Sequence, residues 1–309
     1  MPINIPSDLP AKADLQKENI FVMTEDDASI QDIRPLKIAI VNLMPTKIIT
    51  ETQFLRLLGN TPIQIDITLI RAEEHVSKNT STEHLNRFYT TFSKIRDQKF
   101  DGMIITGAPL EQLDFEQVDY WNELQQIMDF TLTNVYSTLY ICWAAQAGLY
   151  HHYGVGKELF CQKISGVFEH QVNDPTNPLF RGFDDRFNIP HSRFCGLNTT
   201  EVEQHPKLKI LAESEESGIA IVEAPEKRQV FITGHLEYEA DTLAKEYFRD
   251  LDKGMNPTIP AHYFPNDDPS LPPRVSWRAH AHLLFSNWLN HRVYQETPYR
   301  LEDIQGAGR

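Results

Sequence analysis

A chain of 309 residues, 41% hydrophobic and 23% charged, has the composition of a globular protein with room for one large α/β core or two small ones. Its formal net charge of −14, with no cluster of lysines and arginines, excludes the basic stripe that a nucleic-acid partner requires. No apolar run is long enough to span a bilayer, no basic-then-apolar leader opens the chain, and the three cysteines form neither a disulfide framework nor a CxxC pair, so a reducing, cytoplasmic setting without a membrane partner is expected.

Residues 1–34 are polar and proline-bearing, with a charged run at Thr24–Asp27, and read as an arm ahead of a single domain over 35–309. Lys37–Leu43 is short, apolar and β-branched, the pattern of a buried parallel strand. Met44-Pro45-Thr46 breaks it, and Thr46–Leu58 carries helical spacing through Ile49, Phe54, Leu55 and Leu58. Ile63–Ile70 alternates as a strand does. A helix is predicted over Thr82–Lys94, a strand at Gly102–Thr106, a turn at Gly107–Pro109 and an amphipathic helix over Phe115–Leu132. Thr138–Cys142 reads as another strand and Trp143–Tyr150 as another helix. This alternation predicts an open, doubly wound, mostly parallel sheet. The second half differs. Leu208–Ala212, Gly218–Glu223 and Gln229–Thr233 read as a short antiparallel meander, followed by a helix at Ala240–Leu251. A proline-rich connector, Pro257–Pro273, then leads to a C-terminal helix near Trp277–Tyr294, whose Trp277, Phe285 and Trp288 suit core or subunit contact.

Two positions stand out chemically. Cys142 falls where a strand gives way to a helix, a turn that holds a side chain at the carboxyl edge of the sheet. The free N–H groups and dipole of the new helix favour a thiolate there and offer an oxyanion hole. Alone, such a cysteine is more often a small core residue. His235, in Gly234-His235-Leu236-Glu237, follows the predicted strand Gln229–Thr233 and so also emerges at a strand end. A carboxylate two residues on can orient its ring and stabilise the imidazolium as it forms. Together Cys142, His235 and Glu237 compose a candidate Cys-His-Glu triad. Cys161 and Cys195 lack such partners and read as packing residues. His151-His152 and His280-Ala281-His282 have no cysteine or carboxylate at metal-site spacing, so no metal is expected. No GxGxxG or P-loop points to a dinucleotide or ATP.

The segment Tyr140–Ala147 (YICWAAQA) with Gly234–Glu237 (GHLE) resembles the homoserine O-succinyltransferase/O-acetyltransferase family of methionine biosynthesis. Further similar strings are Ile40–Lys47 (IVNLMPTK), Thr106–Glu111 (TGAPLE), Lys163–Phe168 (KISGVF), Pro190–Arg193 (PHSR) and Asn256-Pro257, spread over nearly the whole chain. The resemblance implies a flavodoxin-like core related to class I glutamine amidotransferases, with a short antiparallel addition. It also implies ping-pong transfer: Cys142 takes the acyl group from acyl-CoA, and His235, held by Glu237, activates the hydroxyl of L-homoserine. Substrate-binding positions of the family fall on Lys163, Ser192 and Arg249, the last placed to hold the amino acid's carboxylate. No cofactor is implied, acyl-CoA being a co-substrate, and a homodimer is a reasonable expectation.

Glu111 occupies the family position associated with acyl-donor choice, where a small residue leaves room for a succinyl carboxylate. A carboxylate already there would oppose a second one through repulsion and desolvation. Acetyl-CoA is therefore the expected donor, with succinyl-CoA the alternative. A glutamine amidotransferase-like hydrolase is the remaining rival. Such enzymes usually carry glycines on both sides of the nucleophile, whereas Ile141 and Trp143 flank Cys142.

Overall fold

The computed structural model describes residues 3–6, 8–17, 22–24, 34–73 and 79–307. Among these, twelve strands join one open sheet. Strands β1 (Ile3–Ile5), β2 (Val22–Thr24), β3 (Leu36–Val41), β4 (Ile65–Arg71), β5 (Tyr89–Thr91), β6 (Phe100–Ile105) and β7 (Val135–Ile141) form its parallel half. Strand β12 (Gln229–Ile232) runs parallel to β7 and antiparallel to β11 (Gly218–Ala224), and so joins that half to the antiparallel one. Beyond it lie β10 (Lys209–Ser214) and a long hairpin of β8 (Lys157–Val172) with β9 (Arg186–Leu197).

The central strands are buried on both faces, which is why they read as continuous apolar runs. Successive residues nevertheless belong to two different cores. Ile38, Ile40, Ile104, Leu139 and Ile141 face one, and Ala39, Val41, Met103, Ile105 and Tyr140 face the other. The first core is covered by residues of α1 (Ala11–Lys17), α2 (Lys47–Leu58) and α9 (Arg278–Asn287). The second is covered by α5 (Trp121–Asn134) and α6 (Trp143–Tyr153). The doubly wound arrangement follows. Trp277, Phe285 and Trp288 are all buried in the first core, and the chain continues past α9 as a π-helical turn over Trp288–Tyr294.

Two sequence expectations are corrected. The helix predicted over Thr82–Lys94 is interrupted: α3 (Thr82–Phe88) ends where Tyr89-Thr90-Thr91 pairs with β4, and α4 covers only Phe92–Ile95. A β-branched pair beside an aromatic residue prefers the pleated surface when an edge strand is there to receive it. The helix predicted from Phe115 begins as a 3-10 turn, Phe115–Gln117, and becomes α-helical only at Trp121. The hairpin over 157–197 was not anticipated. The first half of β8 is exposed or half-buried at nearly every position and so shows no alternation to read.

Candidate active site

Parallel pairing brings the chemistry to one edge. Ile141 lies opposite Ile232, so Cys142 and the Thr233–His235 turn leave neighbouring strands at the same end. Ile105 lies opposite Tyr140, which brings Thr106–Glu111 out beside them. Cys142 precedes α6 with φ 52° and ψ −115°, a left-handed conformation that a non-glycine residue adopts only when its surroundings impose it. Its N–H donates to Ile232 O at 2.6 Å, tying the turn to the strand that carries His235. Gly107 faces this turn: a Cβ there would stand 3.2 Å from Cys142 Cβ and 3.4 Å from Ile141 O.

His235 is fixed from two sides. Its N–H donates to Pro190 O at 2.8 Å and its Nδ1 lies 2.6 Å from Glu237 Oε1, with Cys142 as its neighbouring charge. Since Nδ1 is engaged by Glu237, Nε2 is the nitrogen left for the thiol. Gly234 permits the approach to β9, because a Cβ would lie 2.4 Å from Ile189 Cγ2 and 2.9 Å from Pro190 O. Cys142, His235 and Glu237 are all buried. Burial by itself would lower the His235 pKa, but the charges of Cys142 and Glu237 and the hydrogen bond to Glu237 raise it well above the usual value. The structure thus places the three predicted residues Cys142, His235 and Glu237 at one sheet edge, with His235 and Glu237 in direct contact.

Glu111 is half-buried beside this group. Burial raises its pKa, opposed by its own backbone and by His235 and Lys163. Lys157 on β8 donates to Glu111 O at 2.8 Å and so anchors the loop that carries it. Lys163 and Ser192 come together on the hairpin, in contact with a residue that the sequence did not single out. Glu246, on α8 (Thr242–Asp252), accepts from Lys163 Nζ at 3.0 Å and from Ser192 Oγ through Oε2, and from Tyr238 Oη at 3.0 Å through Oε1. Burial disfavours its carboxylate, yet Lys163, Ser192 and His235 together keep its pKa below the ordinary value. Arg249 reaches the group only indirectly. Its side chain is half-exposed and pairs with Asp250 at 2.8 Å, and Asp250 in turn lies 3.7 Å from Lys163. Helical spacing could have flagged Glu246, which stands three residues before Arg249 and so on the same face of α8.

Behind the triad lies a buried polar network. Arg193 Nε donates to His191 Nδ1 at 3.2 Å and its Nη1 to Cys195 O at 2.6 Å, while His191 Nε2 lies 3.2 Å from His170 Nε2. Cys195 is buried, its thiol pushed up to about 12 by burial, and it donates to Gln146 Oε1 at 2.8 Å. Cys161, read as a packing residue, is instead exposed on β8. The histidine pair also needs revision: α5 brings Asp129 to within 2.8 Å of His151 Nε2, a carboxylate that sequence spacing had not placed there. His152 is desolvated, its pKa lowered to about 3, and hydrogen-bonds Tyr140.

A family model described as homoserine O-succinyltransferase matches residues 2–299. The chain is 60% identical over 304 residues to a homoserine O-acetyltransferase of Desulfovibrio desulfuricans, covering 98% of this chain and 97% of that one. It is 57% identical over 307 residues to a homoserine O-acetyltransferase of Petrotoga mobilis, covering 99% of each. Among solved structures, a glutamine amidotransferase of Thermotoga maritima is similar in fold, with TM-score 0.53, 13% identity and 84% and 98% of the two chains covered. Another, from Methylobacillus flagellatus, has TM-score 0.54 and 13% identity, with 87% and 99% covered. At such identities the likeness concerns the fold alone. No helix among the described residues is long and apolar enough to cross a membrane.

Proposed function

The chain belongs to the homoserine O-succinyltransferase family, and on that premise we propose that it is a homoserine O-acetyltransferase working through an acyl-enzyme on Cys142. It moves the acetyl group of acetyl-CoA to the hydroxyl of L-homoserine, giving O-acetyl-L-homoserine for methionine biosynthesis. The observation that carries the mechanism is Cys142, on a strained turn at the N-terminus of a helix, emerging beside a histidine whose Nδ1 lies 2.6 Å from Glu237 Oε1.

In the first half-reaction Cys142 Sγ attacks the thioester carbonyl. The developing oxyanion is received at the N-terminus of α6, where the first N–H groups of a helix have no partner within it. The C–S bond to CoA then breaks, and His235 supplies the proton that CoA carries away. In the second half-reaction the homoserine hydroxyl attacks the new thioester, His235 takes its proton, and the cysteine is released. A thiol suits both steps, because the thioester it forms is reactive enough to acylate an alcohol. Glu237 holds the ring and its charge throughout. The buried setting excludes the water that would waste the intermediate.

The donor is the point on which the family description and the relatives' names diverge, one naming succinyl and the others acetyl transfer. Glu111 favours acetyl. A succinyl carboxylate would enter a largely desolvated space that already holds one acid. Acyl-CoA is consumed as a co-substrate, and the chain acts in the cytoplasm as a homodimer, its N-terminal strands β1 and β2 joined to the same sheet.

The test is steady-state transfer to L-homoserine with acetyl-CoA and succinyl-CoA compared side by side, following CoA release. Turnover with acetyl-CoA that disappears in Cys142→Ser is expected. A preference for succinyl-CoA would reject the Glu111 argument alone; turnover with neither donor would reject the whole reading.

A further inference from the structure

We propose that Asp129, His151 and His152 form a binding site for a divalent transition-metal ion such as zinc, which ties helix α5 to the far end of helix α6. His152 stands ten residues beyond Cys142, roughly 15 Å along a helix, so the site is separate from the triad.

The adjacent histidines have no carboxylate near them in sequence, and the fold supplies one. Asp129, on α5, brings Oδ1 to 2.8 Å from His151 Nε2, and the rings of His151 and His152 lie 4.8 Å apart between centroids. One nitrogen of each ring and one carboxylate oxygen fall within 4.8 Å of one another. Small side-chain rotations therefore bring all three to the roughly 2.0–2.2 Å at which zinc is held.

His152 is suited to a ligand's role in charge and in orientation. Burial, with the charges of His151 and Lys227, lowers its pKa to about 3, so the imidazole is neutral near pH 7 and no proton competes with a metal. Its tautomer follows from its neighbours. Thr131 gives its hydroxyl hydrogen to Met128 O at 2.7 Å, so Tyr140 is the donor in the 3.1 Å contact between Tyr140 and Thr131. Tyr140 Oη then accepts, from Gln229 Nε2 at 3.2 Å and from His152 Nε2 at 3.3 Å. A histidine that donates through Nε2 keeps its lone pair on Nδ1, and metal-binding histidines ordinarily commit their second N–H to an oxygen in this way. Asp129 is exposed and His151 half-buried, which leaves a side open for water as a fourth ligand. Two imidazoles and one carboxylate suit zinc, cobalt or nickel better than calcium or magnesium. Lys227, whose ammonium lies 5.0 Å from the centre of the Tyr153 ring, is the cation that opposes a metal here, and Asp129 is the anion that offsets it. The simpler reading makes Asp129 only a tether for His151, an exposed ion pair of little consequence.

The experiment titrates zinc, and separately cobalt, into the full chain after treatment with EDTA and then iodoacetamide, which removes accessible thiols as competing ligands. Calorimetry and thermal melting are applied to wild type, Asp129→Ala, His151→Ala and a control, His262→Ala, whose histidine pairs with Glu216 elsewhere on the surface. Wild type should bind one equivalent at micromolar concentration, and its thermal midpoint should rise with added metal. Asp129→Ala and His151→Ala should each weaken binding by roughly 100-fold or more and abolish that rise, since even an outer-shell partner is worth about 10–100-fold. His262→Ala should bind as wild type does. No binding by wild type up to millimolar metal overturns the proposal. Binding that survives either ligand substitution, or that is lost equally in His262→Ala, overturns it too. Melting curves without metal show whether each variant is folded, and either ligand variant suffices if the other is not.

Discussion

Tyr238 lies flat against His235, the two rings 4.2 Å apart and 12° from parallel, while the tyrosine hydroxyl donates to Glu246 at 3.0 Å. One side chain thereby touches both the triad and the residues gathered around Lys163 and Ser192. The stack restricts the imidazole, and the hydroxyl restrains the carboxylate.

These two functions can be separated. Tyr238→Phe keeps the ring and removes the hydroxyl. A hydrogen bond to a charged acceptor contributes about 1.5–3 kcal/mol, so KM for homoserine should rise roughly tenfold or more with little change in KM for acetyl-CoA. Tyr238→Leu should also lower kcat. A fall in kcat with unchanged homoserine KM in Tyr238→Phe would confine the tyrosine's role to the histidine.

Glu111 provides a second separation. Replacing it by glycine removes a largely desolvated acid and should shift the kcat/KM preference toward succinyl-CoA. The wild-type enzyme should show a weaker version of the same shift with pH. Burial raises the Glu111 pKa above 4.5, so protonation begins at higher pH than for an ordinary glutamate and removes the repulsion. Relative use of succinyl-CoA should therefore increase as pH falls, and this trend should vanish in Glu111→Gly. A Glu111→Gly enzyme with the wild-type preference would refute the donor argument.

Gly107 tests the turn itself. A methyl group there meets Cys142 Cβ at 3.2 Å, close enough to push the nucleophile by a few tenths of an ångström but not to unfold the sheet. Gly107→Ala should slow acetyl-enzyme formation by about 10–100-fold, as expected for a sub-ångström to ångström misplacement, while the thermal midpoint changes little. Burst kinetics and a melting curve distinguish this from general destabilisation.

The triad was legible because each member stands at the end of a strand that the sequence displays plainly. Val135–Ile141, which leads to Cys142, and Gln229–Ile232, which leads to His235, are buried along almost their whole length, so their apolar runs are plain. The Ile141–Ile232 register then places Cys142 beside His235. The hairpin that carries Lys163 and Ser192 was not legible, because β8 is solvated along its first half and pairs through a register shift between Leu159 and Ile164. Lys163 and Ser192 were nominated by family resemblance alone. Glu246 was missed for a related reason: its significance lies in three residues from three distant segments, Lys163, Ser192 and Tyr238, converging on one carboxylate, which no local pattern records. Arg249 was nominated by the same resemblance to hold the amino acid's carboxylate; in the structure it pairs with Asp250, the next residue.

His235 leads to the last prediction, because the proposed reaction consumes the cause of its raised pKa. Burial opposes the charged ring, and the largest influence in the other direction is the charge of Cys142, followed by Glu237. In the proposed reaction, acetylation converts the cysteine into a neutral thioester and removes that influence, leaving burial opposed by Glu237 and by the charges of Glu111 and Glu246. The ring should then lose its proton more readily, at the moment when a base is needed to accept one from the homoserine hydroxyl. Alkylating Cys142 with iodoacetamide gives a stable neutral mimic. NMR titration of the His235 ring should show a lower pKa in the alkylated protein than in the free one. Stability should follow with a definite sign. In the free protein the folded-state value lies above the unfolded 6.5, so the pair's stabilisation is complete below about 6.5 and is lost as pH rises through the raised folded value. The alkylated protein should lose much of that dependence. Equal histidine titrations in the two forms would mean that Cys142 does not control the ring, and that the base for the second half-reaction is set by the carboxylates around it.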